Sequence, residues 1–116
     1  MSTSRLPDYL DHMRQAARDA LSFVEGMDQQ TFTTDRRTQQ AVTMSLLVIG
    51  EAATKVMDGY PRFAEANQQI PWRSIRGMRN RIAHGYFEIN LDVVWETVAR
   101  ALPELLTQLD ALQTEH

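Results

Sequence analysis

The sequence predicts an all-α fold, an up-and-down bundle of four to five helices in one domain spanning residues 1–116. Three observations predict it. Strong helix formers dominate, with 12 Ala and 11 Leu. Apolar residues recur at steps of three and four along most of the chain. No stretch alternates apolar and polar residues for long enough to make a strand.

The first helix is expected over about 6–27. Leu6, Leu10, Met13, Ala17, Leu21, Val24 and Met27 form its stripe, Pro7 sits in the first turn, and Gly26 weakens the last. Residues 28–34 read as a connection, with Thr34 a candidate cap. The second helix, about 35–58, carries Val42, Leu46, Ile49, Ala53 and Val56. Leu47 and Val48 widen that stripe, so this helix is expected to be the most buried. Glu51 interrupts it, four residues before Lys55, and is read either as half of a surface ion pair or as a partly buried carboxylate. Asp58-Gly59-Tyr60-Pro61 stops the helix.

Residues 63–69 are expected to form a short helix and 71–85 a third long one, opened by Pro71 and ended by Gly85. The last helix runs from a cap at Asn90 to about Gln113 on Leu91, Val94, Val98, Leu102, Leu105 and Leu109. Pro103 lies inside this stripe, where it removes one backbone bond and predicts a kink.

Composition excludes several classes of function. The chain has no cysteine, which removes disulfide frameworks, cysteine-based metal sites and thiol nucleophiles and fits a reducing cytoplasm. The longest apolar run, Leu46–Ile49, is too short to cross a bilayer, and the start of the chain has no signal-peptide core. A cytoplasmic protein without membrane contact is expected. No phosphate-cradling glycine motif, nucleophile elbow or His-x-x-x-His spacing occurs, so neither cofactor nor metal is expected.

Charge is uneven. Net charge is −3, yet residues 66–87 contain no carboxylate and hold Arg73, Arg76, Arg79 and Arg81. That segment carries +4 and the remainder −7, which suggests a local anion site on an acidic protein. On a helix wheel Ile75, Met78 and Ile82 form the apolar stripe, while Arg73, Arg76, Asn80 and His84 gather opposite. Arg79 stands roughly 40° from Ile75, on the shoulder of the apolar face. A cation there must reach outward, be paired, or meet another subunit. Arginine matches phosphate oxygens with a fixed charge, and histidine exchanges a proton near neutral pH.

The stretch Arg79-Asn80-Arg81-Ile82-Ala83-His84-Gly85-Tyr86 resembles the Arg…His motif of HEPN domains, and more narrowly that of the HepT toxins of MntA–HepT toxin–antitoxin pairs. Ile49–Ala53, Ile70–Arg73, Tyr86-Phe87, Leu91–Trp95 and Leu102–Leu105 extend the resemblance over nearly the whole chain. The resemblance implies a HEPN-like homodimer whose two motifs face each other across the interface as one composite, metal-independent ribonuclease site. It implies that Arg79 and His84 are catalytic and Asn80 supportive, with Arg73, Arg76 and Arg81 as RNA-binding candidates. It further implies a type VII toxin–antitoxin system, in which an MntA-type nucleotidyltransferase silences the toxin by adding AMP to Tyr86. The competing reading is a non-catalytic helical dimer that binds a nucleotidyltransferase or nucleic acid.

Overall fold

A computed structural model describes residues 4–112. Seven α-helices are present among them: α1 (Leu6–Phe23), α2 (Gln29–Thr33), α3 (Arg36–Gly59), α4 (Pro61–Ala66), α5 (Trp72–His84), α6 (Leu91–Glu96) and α7 (Leu102–Asp110). No strand occurs among the described residues. Helix α3 packs against α1 on one side and α5 on the other, and α1 carries α7 on its far side. The bundle therefore has four long arms, because α6 and α7 continue each other through one wide turn.

The predicted stripes supply the core. Leu10, Met13 and Ala17 of α1, Val42, Leu46, Ile49, Ala53 and Val56 of α3, and Val94, Val98, Leu102, Leu105 and Leu109 of the last arm are all buried. Of the two residues expected to widen the α3 stripe, Leu47 is half-buried against the core and Val48 is 37% exposed, and Met44 beside them is 58% exposed. Helix α3 still holds more buried residues than any other described helix, as expected, but this side of it is left open.

Helix boundaries depart from expectation where side-chain chemistry outranks periodicity. Helix α1 ends at Phe23, not Met27, and the chain turns through Gly26 at φ +80°. That left-handed conformation suits glycine alone without strain. The expected connection 28–34 contains α2, whose cap is the Asp28 carboxylate accepting from Thr31 N–H. Phe32, fully buried against Trp95 at 5.4 Å between ring centres, holds this single turn in place. Asp35, not Thr34, caps α3 by accepting from Thr38 N–H at 3.1 Å.

The last arm answers Pro103 with a turn of π-helix at Thr97–Ala101, just before α7 begins with that proline in its first turn. The wider turn absorbs the hydrogen bond that proline cannot make. The far end of this arm, Gln113, lies outside the described residues. Asn90 caps α6 as expected, its Oδ1 accepting from the N–H groups of Asp92 and Val93. Arg14 of α1 donates from Nε and Nη2 to the Leu109 carbonyl at 3.2 and 2.8 Å, fastening α1 to the end of α7. At the start of α5, Trp72 Nε1 donates to the Asn67 carbonyl at 3.1 Å and its ring meets Phe63 edge-on.

The Asp35 cap carries a pH signature. The Thr38 N–H holds the Asp35 carboxyl below its ordinary value of 3.8, and Thr31 does the same for Asp28. A carboxyl depressed in the folded state stabilises the fold above its unfolded pKa and loses that contribution as pH falls through the folded value. Thermal melts are therefore expected to decline below about pH 4. Asp35→Asn keeps a competent cap and is expected to flatten part of that decline. An unchanged slope for Asp35→Asn would assign the acid sensitivity elsewhere.

Candidate active site on helix α5

Helix α5 carries every charged candidate of the motif. Its fit against α3 is set at one point of close approach, where Gly50 of α3 faces Arg79. A methyl group on Gly50 would overlap Arg79 Cβ, and would stand 2.8 Å from Arg79 Cγ and 3.3 Å from Arg79 Cα. Hydrogen at position 50 is what lets the two backbones come this near.

That approach seats the Arg79 guanidinium. Thr54, one turn along α3, donates its hydroxyl to the Gly50 carbonyl at 2.8 Å. The same oxygen accepts from Arg79 Nη2 at 3.0 Å, so its proton and one of its two lone pairs are committed. Arg79 Nε lies 3.4 Å from Glu51 Oε2, near enough for charge attraction but without hydrogen-bond alignment. Glu51 thus pairs with Arg79 and not with Lys55. The Arg79 side chain keeps 21% of its surface open.

His84 behaves differently. It is the last residue of α5, exposed, on a cavity of about 370 Å³ between the end of α5 and the start of α6. Arg81, Glu88 and Asn90 share its rim. Five residues separate Arg79 from His84, which on a helix is roughly 140° of rotation and about 7.5 Å of rise. One chain accordingly points Arg79 at α3 and His84 at α6. It does not join them.

The remaining candidates divide. Asn80 is exposed. Arg81 lines the His84 cavity, while Arg73 and Arg76 line another of about 550 Å³ with Asp58 and Glu65. Arg76 Nη2 is tied to Asp58 at 3.0 Å. Two of the four arginines in the basic segment thus lie beside α3 carboxylates, which weakens the expected anion field around Arg76 and Arg79 and leaves it undiminished at Arg73 and Arg81. Neither of those makes an ion pair among the described residues.

Tyr86 opens a short 3₁₀ turn, Tyr86–Glu88, directly after the Gly85 cap, and is 44% exposed. The helix end takes it off the Ile75–Met78–Ile82 stripe. Its neighbours are Phe87, edge-on at 5.8 Å between ring centres, and a cavity of about 230 Å³ shared with Arg36, Gln40 and Thr43 of α3. The cation on this cavity is Arg36, not one of the α5 arginines. The Tyr60 hydroxyl, by contrast, is engaged, accepting from Arg5 N–H at 2.9 Å.

Sequence patterns overlooked Gly50, Thr54 and Arg36. A glycine in the middle of a strongly apolar helix was the available signal, since it weakens the helix unless a close packing contact requires it.

Residues 13–112 match the family model described as Ribonuclease HepT-like. The chain belongs to the HepT-like ribonuclease family. It is 34% identical over 108 residues to a protein named "Putative RNase" from Caldanaerobacter subterraneus subsp. tengcongensis, covering 92% of this chain and 94% of that one. It is 31% identical over 106 residues to "Probable ribonuclease HepT" of Thermococcus cleftensis, covering 91% and 94%. A further "Putative RNase" from Methanocaldococcus jannaschii is 31% identical over 107 residues, covering 92% and 83%. No solved structure matches the chain. No helix of the described residues is long and apolar enough to cross a membrane.

Proposed function

We propose that this protein is a metal-independent RNA endonuclease and the toxin of a toxin–antitoxin pair, active as a homodimer. The observation that carries the proposal is the divergence of Arg79 and His84 on one helix, beside an apolar strip left uncovered on α3. Met44 and Val48 are exposed on that strip, Leu47 is half-buried, and Glu51 on the same side leads to Arg79. A second copy laid over this face would bury the strip and bring the other chain's motif to Arg79.

The chemistry follows from the two side chains. His84 removes the proton from a ribose 2′-hydroxyl. The 2′-oxygen attacks the adjacent phosphorus, and the bond to the 5′-oxygen of the next nucleotide breaks. That oxygen leaves as a hydroxyl by taking a proton from solvent water, His84 gives its proton back to solvent, and the upstream fragment ends in a 2′,3′-cyclic phosphate. Arg79 balances the added negative charge on the phosphorus, and the Thr54 and Glu51 contacts hold it in place for this. Asn80 supports the substrate alongside, and Arg73, Arg76 and Arg81 are the cations offered to neighbouring phosphates. Release of Arg76 from Asp58 would accompany its use.

Purified protein is expected to scatter light as a dimer at micromolar concentration and to cut single-stranded RNA equally well in EDTA. A monomer would refute the composite site, and loss of cleavage in EDTA would refute the metal-free chemistry.

Silencing is proposed to act at Tyr86, by transfer of AMP from ATP through a partner nucleotidyltransferase of the MntA type. Support comes from its exposure, its place two residues beyond His84 and the Arg36 cation beside it. An added phosphate there repels RNA and blocks the approach to His84. Incubation with the partner enzyme and ATP is expected to add mass in AMP steps to wild type and none to Tyr86→Phe. The Phe variant is expected to remain toxic when the partner is co-expressed. A Phe variant that is still modified and silenced would move the target to another side chain.

A further inference from the structure

The cavity beside His84 has chemistry that the cleavage step does not use. Its floor is Ile82 and Val94, both buried, and its walls are Met78, Ile89 and Val93. At about 370 Å³ it falls within the size range of small-molecule sites, roughly 300–1,000 Å³. The polar groups lie at its rim: Arg81, His84, Glu88 and Asn90. An apolar slot of this kind accepts the face of a flat ring, and the rim then meets the ring's polar edge.

The rim's hydrogen-bonding pattern is restricted. Asn90 Oδ1 is committed to the cap of α6, accepting from Asp92 N–H at 2.9 Å and Val93 N–H at 3.3 Å. Only the Asn90 Nδ2 amide is left, which is solely a donor. The Glu88 carboxylate is solely an acceptor and enters no ion pair among the described residues. A ligand edge that satisfies this rim must offer two adjacent N–H donors to the carboxylate and one acceptor to the amide. Guanine does so with N1–H, N2–H and O6. Adenine, cytosine and uracil each lack the adjacent pair of donors.

We propose that this cavity is a guanine subsite, holding the base of the nucleotide whose 2′-hydroxyl His84 deprotonates, with Glu88 and Asn90 as the residues that read it. Arg81, on the same rim, is placed for that nucleotide's phosphate. The proposal rests on the ribonuclease reading of His84 and adds to it a preference for cleavage after G.

Two independent arms test it on the full chain. In the first, a single-stranded RNA containing all sixteen dinucleotide steps is cut and the ends are mapped. Wild type is expected to favour cleavage after G by about 10- to 100-fold, the scale of hydrogen bonds to a charged group. Glu88→Gln is expected to lose that preference mainly through KM. Asn90→Asp keeps a cap of equal quality but turns the donor into an acceptor facing O6, so cleavage after G is expected to fall below that after other bases. Melting curves establish that both variants are folded.

In the second arm, guanosine 3′-monophosphate is titrated against the methyl resonances of Ile82, Ile89, Val93 and Val94, beside the adenosine, cytidine and uridine 3′-monophosphates. The guanine nucleotide is expected to give saturating shifts at the lowest concentration, and Glu88→Gln to abolish that advantage. Equal cleavage after all four bases, a preference for another base, or equal shifts with all four nucleotides overturns the subsite. If wild type cuts no RNA, the ribonuclease reading fails, and the titration alone still decides what the cavity binds.

Discussion

Arg79→Ala and His84→Ala are each expected to lose RNA cleavage by about 10²- to 10⁴-fold, the usual scale for removing a general base or a charge-stabilising group. Neither is expected to unfold the protein. His84 is exposed at a helix end, and its loss opens no hole in the core. In Arg79→Ala the Cβ that rests over Gly50 is retained, Thr54 still donates to the Gly50 carbonyl, and the half-exposed Glu51 carboxylate is rehydrated. The sharper expectation concerns the two inactive chains together. Co-expressed, they form mixed dimers with one intact Arg79 and one intact His84, and cleavage is expected to return to a measurable fraction of wild type. Mixed dimers that stay inactive would refute a site shared between chains. Either single variant cutting at the wild-type rate would remove its residue from the chemistry.

Much of the fold was legible because burial imposes a period on sequence. The stripes of α1, α3 and the last arm contain most of the large core residues. Phe32 escaped because one apolar residue among Gln and Thr has no period, and only its contact with Trp95 reveals it as an anchor. The two acidic caps escaped in part because Thr34, one residue before Asp35, is chemically as eligible. At the site, the wheel placed Arg79 on a shoulder from which it had to reach outward, be paired or meet another subunit, and in the fold it is paired on α3. Which partner could not be read. The pairs Arg79–Glu51 and Arg76–Asp58 join residues 28 and 18 apart in sequence, and only the packing of α5 on α3 brings them together. The basic segment therefore looked more positive in sequence than it is in the fold.

Gly50 offers the second large effect, because it tests the seat of Arg79 without touching the guanidinium. Gly50→Ala places a methyl group 2.8 Å from Arg79 Cγ and 3.3 Å from Arg79 Cα. A rotamer change can move the Cγ, but the Cβ, which the added methyl group would overlap, and the Cα move only with the helix. Helix α5 must shift away from α3, at a cost of about 1–3 kcal/mol of overpacking. This outweighs the roughly 1 kcal/mol that alanine gains over glycine within a helix. The melting temperature is expected to fall by several degrees. Any such shift also draws Arg79 Nη2 off Thr54, now at 3.0 Å, and a displacement of about 1 Å near the chemistry is worth about 100-fold in rate. Gly77→Ala is the matched comparison on α5, where an added methyl group meets nothing within 4 Å. There the helix-propensity term stands alone, and the melting temperature is expected to hold or rise. The same substitution at two helical glycines is thus expected to move stability in opposite directions, and only Gly50→Ala to carry cleavage down with it. If the two variants melt alike, the α3–α5 contact is looser than the 2.8 Å approach requires, and Arg79 is not held by it.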